Sequence, residues 1–241
     1  MDNSIYITLS RQAAMFRDMD VTANNIANVN TTGYNAEKLL FSQYLVKDNT
    51  QKDAYANDPV AWRDNTQGAI KPTGNTFDLA ISGTNAYFQV NTPLGVRYTR
   101  AGNFQTNADG TIVTSDGYPV LGSDGGEITI PQNAKNIVVN GGGQVSADGQ
   151  DLGTVGMMSF KDEAALKRMG NSLYTSSESP EPSLSARMVQ GGLESSNVAP
   201  VTEMVHVMQL SRDTTQTAKF IDTMYDLQSK TASTYTHSQQ S

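Results

Sequence analysis

The sequence predicts an α+β protein: N- and C-terminal helices that pack together as a coiled-coil-like assembly domain, with a central, mostly antiparallel β domain between them. Near the start, Ile5, Leu9, Gln12, Phe16, Met19, Ala23 and Ile26 recur at alternating steps of four and three, which lays one narrow stripe along a helix. From Thr76 to about Gln190 the texture changes to short β-prone runs separated by turn residues. The final segment opens on capping residues and runs on as a long helical stretch.

The first helix is predicted over about Ser4 to Val29. It should end where Asn28, Asn30, Thr31, Thr32 and Gly33 accumulate, because short polar side chains compete for backbone hydrogen bonds and Gly33 accepts a left-handed turn. Tyr34 to Val46, with Leu39, Leu40 and Phe41, fits helix and strand equally by periodicity. Residues 35–75 read as an extended connector, polar from 47 to 72, with Trp62 as its one large apolar anchor. The β domain spans 76–190 and includes Ala86–Val90, Thr111–Thr114, Tyr118–Leu121, Glu127–Ile130 and Asn136–Val139. A short helix is expected at Glu163 to Met169, closed by Gly170. The C-terminal segment, 191–241, offers Ser195, Ser196 and Asn197 as caps, Glu203 in the first turns, and helix from about Val198 to the low 230s. It carries Val201, Val205 and Met208 early, then Leu210, Ile221 and Met224 on a drifting face interrupted by Thr214, Thr215 and Thr217, and Met204 is a further packing methionine. Such a helix is weak alone, since β-branched residues are poor helix formers and nucleation is costly, so neighbours must stabilise it.

Composition excludes several function classes. The formal net charge is -7 and no Lys/Arg run appears, so nucleic acid is not an expected partner. No window reaches the roughly 18 to 20 apolar residues of a membrane-spanning helix, and the first residues lack a secretory signal. There is no cysteine, which removes disulfides and thiolate metal sites. Asp109-Gly110, Asp116-Gly117, Asp124-Gly125 and Asp148-Gly149 lie between β-prone runs. There they supply the positive-φ residues of tight turns, and they match no calcium loop. The two histidines, His206 and His237, sit at the C-terminal end; Glu203 and Asp213 near His206 do not make a metal site by themselves. No catalytic, cofactor or metal constellation is expected.

Two motifs flank the chain, Ala23-Asn24-Asn25-Ile26-Ala27-Asn28-Val29-Asn30-Thr31-Thr32-Gly33-Tyr34 and Gln190-Gly191-Gly192-Leu193-Glu194-Ser195-Ser196-Asn197-Val198. Between them stand Asp78 within Phe77–Ile81, then Tyr98-Thr99-Arg100-Ala101-Gly102-Asn103-Phe104, then Leu173-Tyr174. In this order they resemble the axial rod and hook proteins of the bacterial flagellum. Thr76 departs from a frequent proline, and Asn85-Ala86 from a usual glycine, which leaves the turn after Gly83 open.

The resemblance implies a structural, non-enzymatic subunit that polymerises through its terminal helices, with itself and other rod subunits as partners. It also implies delivery by the flagellar export apparatus without a cleavable signal, and residence in the periplasm-spanning rod of the basal body. The implied assembly residues are Ile5, Leu9, Phe16, Met19, Asn24, Asn25, Ile26, Asn28, Thr32 and Gly33, with Ser196, Asn197, Val198, Val201, Met204, Val205, Met208, Ile221 and Met224. Asp78, Thr99, Arg100, Ala101, Gly102 and Phe104 would be the central-domain motif. One β domain of this size, the opening Met1–Tyr6 and the length look more like the proximal rod than the distal rod or hook. A secreted β-domain binding module with oligomerising tails would instead need an exposed aromatic platform, for which only Trp62 and scattered tyrosines are available.

Overall fold

The computed structural model describes residues 2–40, 43–47, 52–56 and 60–238. They fall into two compact units: Met1–Ala27 with Glu37–Trp62 and Ala199–Ser241, and Asn28–Ala36 with Arg63–Val198.

The first unit holds the two α-helices, α1 (Asp2–Ala27) and α2 (Pro200–Ser238), and four short strands, β1 (Glu37–Leu40), β2 (Gln43–Lys47), β3 (Lys52–Ala56) and β4 (Val60–Arg63). Strands β2 and β3 form an antiparallel hairpin in register from Gln43 opposite Ala56 to Lys47 opposite Lys52, and β1 pairs with β4. The segment read as an extended connector is therefore paired strand over much of its length. Trp62 is partly exposed, with the Lys38 ammonium 5.6 Å from its ring centre.

Helix α1 packs along α2 and also against β1 and β3. It buries Ala14, Met15, Thr22 and Asn25, while Tyr6, Leu9 and Phe16 stay exposed. The stripe read from hydropathy thus faces outward over Leu9 and Phe16. The inward face is small or polar where neighbouring backbone comes close, as at Asn25, and a hydropathy count does not register such a face.

Helix α2 starts at Pro200, whose fixed φ and missing N–H suit the first helical position, and not at the Ser195–Asn197 caps. Its 39 residues extend past the low 230s and make a rod of about 58 Å. Glu203, Val207, Leu210, Thr214, Thr217, Ile221 and Met224 are covered at alternating steps of four and three, with Asp213 and Ala218 half-buried beside that stripe. The threonines bond back along the helix. Thr214, Thr215, Thr223 and Thr231 each donate to the carbonyl four residues earlier at 2.7–2.8 Å; Thr214 is half-buried and the other three are exposed.

The second unit is a β body. Its strands are β5 (Ile70–Pro72), β6 (Leu79–Ser82), β7 (Tyr87–Thr92), β8 (Gly95–Thr99), β9 (Gln105–Thr106), β10 (Ile112–Val113), β11 (Ile137–Val139), β12 (Gln144–Ala147) and β13 (Gln150–Thr154). They are followed by β14 (Met157–Ser159), β15 (Lys167–Arg168), β16 (Leu173–Thr175), β17 (Glu181–Pro182), β18 (Arg187–Gln190) and β19 (Gly192–Glu194). The largest sheet has the order β15-β16-β8-β7-β14-β17, and its pairings are antiparallel.

This sheet is buried on both faces by the two-residue alternation of its strands. Phe88, Val90 and Met157 point into the main core with Leu79, Ile112, Val120, Val145 and Val155. Tyr87, Tyr98, Met158 and Tyr174 point the other way, onto Phe160 and Leu166. Tyr98 meets Phe160 edge-on at 4.8 Å and Tyr87 meets Tyr174 at 5.8 Å, geometries that the ring quadrupole favours.

The glycines of all four Asp-Gly pairs take positive φ, from 82° at Gly110 to 85° at Gly117 and Gly149. Asp148 joins Gly149 at φ 50°, the two-residue turn that links β12 to β13. Asn85 adopts φ 51° in the open turn after Gly83, and its amide exchanges bonds with the backbone of Phe160 at 2.6 and 3.0 Å. Asparagine thus serves where glycine is usual. The helix expected at Glu163 to Met169 is only a 3-10 turn, Glu163–Ala165, capped by Asp162, and the chain then enters β15.

Candidate assembly surfaces

In the helical unit, the sequence-predicted residues divide into inward and outward sets. Asn25 is buried and acts as a strand surrogate: its Nδ2 donates to the Glu37 carbonyl at 2.8 Å and its Oδ1 accepts from the Glu37 N–H at 3.0 Å. The amide therefore ties the last turn of α1 to β1. Asn24 is exposed and bonds the Asp20 carbonyl at 3.0 Å. Met19 and Ile26 on α1, and Ile221 and Met224 on α2, are half-buried. Leu9, Phe16, Val201, Met204, Val205 and Met208 are exposed apolar side chains. Ile5 lies in the first turns of α1, and its side chain is outside the described residues. His206, for which no structural role was expected, accepts or donates to Asp18 at 3.1 Å and joins α2 to α1.

In the β body, the two flanking motifs meet the central one. Gly33 has φ 65°, and its N–H donates to the Glu194 carbonyl at 2.8 Å. A Cβ on Gly33 would overlap the Arg100 carbonyl carbon and come within 2.5 Å of the Ala101 nitrogen, so only glycine fits. Arg100 and Glu194 form an ion pair at 3.2 Å, with side chains only 3% and 2% exposed. Arg100 also donates to the Gly83 and Ala86 carbonyls at 3.0 and 2.6 Å, and Glu194 Oε1 accepts from the Gly68 N–H at 3.2 Å. Burial pushes the Glu194 carboxyl above its ordinary range, against the opposing pull of Arg100 and the Gly68 N–H.

Asn197 serves as a brace and not as a helix cap. Its Oδ1 accepts from Ala36 N–H at 2.7 Å and its Nδ2 donates to the Asp64 and Thr66 carbonyls, each at 2.9 Å. Ser196 accepts from Val198 N–H at 3.3 Å, and Val198 packs with Tyr34, Ala36 and Val29. Asn28 accepts from Thr31 at 3.1 Å, and Thr32 is half-buried. Arg168 lies over the Tyr34 ring at 4.2 Å and donates to the Asn35 carbonyl at 2.6 Å.

The central motif is architectural. Thr99 donates to Ser172 and accepts from Ala101 N–H, and Gly102 lies against the Leu79 carbonyl with no room for a Cβ. Phe104 meets Phe88 edge-on at 5.0 Å, and Asp78 accepts from Thr73 and Asn75 at 2.6 and 3.0 Å. Sequence reasoning did not assign roles to Glu194, Asn35 or Arg168. The signal available was a charged residue inside each glycine-rich motif, Arg100 and Glu194, with opposite signs.

Among the described residues no group of three His, Asp or Glu side chains converges as a metal site, and no described helix is long and apolar enough to cross a membrane.

Three family profiles match successive parts of the chain: a flagella basal body rod protein profile over residues 5–35, the flagellar hook protein FlgE/F/G D1 domain over 80–147, and the flagellar basal body rod FlgEFG protein C-terminal region over 189–234. Helical ends and a β body in that order define a flagellar axial protein of the rod and hook class. The flagellar basal-body rod protein FlgF of Caulobacter vibrioides is 38% identical over 94% of this chain and 95% of its own length. The FlgF protein of Mesorhizobium japonicum is 32% identical over 90% and 91%. FlgG of Caulobacter vibrioides is 32% identical over 89% and 92%. The chain belongs to the flagellar basal-body rod protein family.

Proposed function

We propose that the chain is a structural, non-catalytic subunit of the bacterial flagellar rod, of the proximal FlgF type, built into the shaft between motor and hook. The observation that carries this is the end-to-end match to rod proteins, with the FlgF protein of Caulobacter vibrioides more similar than the FlgG protein of the same bacterium. In this reading the terminal helices form a coiled-coil-like seam and assemble with other rod subunits and with further copies of the chain. The alternating covered positions of α2 from Glu203 to Met224 suit such a seam. The apolar side chains left in water at Leu9, Phe16, Val201, Met204 and Met208 suit burial by neighbours. The flagellar export apparatus delivers the chain with its terminal helical segments, Asp2–Ala27 and Pro200–Ser238, unfolded, and assembly supplies the burial those tails lack.

Deletion of the gene in the source bacterium, followed by electron microscopy of basal bodies and a motility assay, tests the reading. Incomplete rods without hooks, restored by the gene, are expected; intact hooks and normal swimming would overturn it. Limited proteolysis of the free chain tests the order of folding. It should leave the β body intact and cut both tails, and equal resistance throughout a monodisperse monomer would refute assembly-coupled folding.

A further inference from the structure

Helix α2 turns a sulfur-bearing stripe to solvent. Val201, Met204, Val205 and Met208 stand at i, i+3, i+4 and i+7, within about 100° of one another round the helix. Their side chains are 74%, 53%, 56% and 54% exposed, and the stripe lies roughly opposite the buried Leu210.

The chain has no cysteine, so its ten methionines hold all of its sulfur. Met15, Met157, Met158 and Met188 are only 4–8% exposed and closed to a dissolved oxidant, and Met19 and Met224 are half-buried. Met204 and Met208 present two thioethers one turn apart on an open face; Met169 is the exposed methionine of the β body. Hydrogen peroxide oxidises an accessible thioether. A sulfur lone pair forms the S–O bond as the O–O bond breaks, the proton of the transferred oxygen passes to the departing hydroxide, and water leaves. Sulfur is oxidised by two electrons and the peroxide is reduced by two. The product is a polar sulfoxide, which methionine sulfoxide reductases return to the thioether.

We propose that Met204 and Met208 form a peroxide-sensitive modification site that governs whether α2 can be built into the rod. The proposal rests on the rod reading, in which this stripe is covered on assembly. Before assembly both sulfurs are open to solvent. Oxidation would set two S=O dipoles beside Val201 and Val205, which offer no side-chain donor, and burying a polar group without a hydrogen bond opposes assembly. Once covered, the thioethers are shielded, so the reaction stops incoming subunits and spares finished rods. Met169 belongs to the other compact unit, and its oxidation leaves the stripe as it is.

The test gives a brief hydrogen peroxide pulse to the source bacterium, lacking its methionine sulfoxide reductases, while flagella are being built. Peptide mass spectrometry of the unsubstituted chain should find sulfoxide at Met204 and Met208 about fivefold more abundant in the unassembled pool than in basal bodies. New basal bodies carrying the chain, scored as treated over untreated cells, should fall about fivefold. Met204→Leu, Met208→Leu should remove most of that fall, each single variant part of it, and Met169→Leu none. Met204→Gln, Met208→Gln, which sets a polar amide where the sulfoxide would stand, should lower incorporation without peroxide. Equal sulfoxide in the two pools, a Leu series as sensitive as the unsubstituted chain, or full incorporation of the Gln pair would overturn the modification site and leave the rod reading standing. Absence of the unsubstituted chain from basal bodies of untreated cells would overturn both.

Discussion

Replacing Gly33 by alanine adds one methyl group at a position where two separate penalties coincide. The backbone is at φ 65°, where a non-glycine residue costs about 1–2 kcal/mol. The new Cβ would also lie 2.6 Å from the Arg100 oxygen and 2.5 Å from the Ala101 nitrogen, so residues 100–101 must retreat by roughly 1 Å. They carry the Arg100–Glu194 pair and cannot move freely; overpacking of this kind costs about 1–3 kcal/mol. The sum is roughly 2–5 kcal/mol.

Two other glycines separate the terms. Gly117 has φ 85° and nothing within 4 Å of a Cβ, so Gly117→Ala should lose only the conformational part. Gly102 lacks a positive φ but abuts the Leu79 carbonyl, so Gly102→Ala should lose only the packing part. Urea denaturation of the purified variants, followed by far-ultraviolet circular dichroism, should rank Gly117→Ala as the least destabilised, with Gly33→Ala and Gly102→Ala both well below it. Equal midpoints for Gly33→Ala and Gly117→Ala would refute the close approach of residue 33 to residue 100.

Three further outcomes are expected. Arg100→Met leaves the Glu194 carboxylate buried without its partner and should cost about 3–5 kcal/mol, while adding Glu194→Leu should recover only part of the loss, because the Ala86 carbonyl and the Gly68 N–H stay unpaired, as measured by urea midpoints. The Glu194 carboxyl is raised in the folded state by burial, so the native state binds its proton more tightly than the unfolded chain does. Its contribution is therefore present at low pH and lost as pH rises through the folded pKa, and the stability profile of Glu194→Gln should be flatter than that of the wild type just above the ordinary carboxylate range. Asn25→Ala removes the amide that bonds the half-buried N–H and C=O of Glu37 and should destabilise the α1–β1 contact by about 1–3 kcal/mol; faster amide hydrogen exchange at residue 37 is the check, and unchanged exchange would contradict it.

Much of the β body was legible because its signals are local. Asp148-Gly149 specifies a two-residue hairpin, and the paired burial of Tyr87 and Phe88 follows from two-residue alternation. The positive φ at Gly33 was also readable from the polar cluster before it. What could not be read was which neighbour each helix face meets. Leu9 and Phe16 look like an inward stripe, yet Ala14, Met15, Thr22 and Asn25 are the buried residues, and at Asn25 close backbone packing selects a hydrogen-bonding side chain. Asn197 sits where a helix cap is expected, but Pro200 sets the start of α2 and frees the amide to brace two backbone segments, at Ala36 and at Asp64–Thr66. The Arg100–Glu194 pair is separated by more than ninety positions, and no local pattern links them.

The hydrogen bonds of Asn197 have a consequence for how this family diversifies. They hold residue 36 beside residue 197, so the β body begins and ends at nearly the same point. A body with adjoining ends behaves as an exchangeable cassette, and chains that run surface-to-surface in this way tolerate insertion and replacement. Residues between Arg63 and Val198 can be enlarged, trimmed or swapped without parting the two ends of the body, provided Gly33, Arg100, Glu194 and Asn197 keep their partners. Variation in the body would then leave its two ends adjoining.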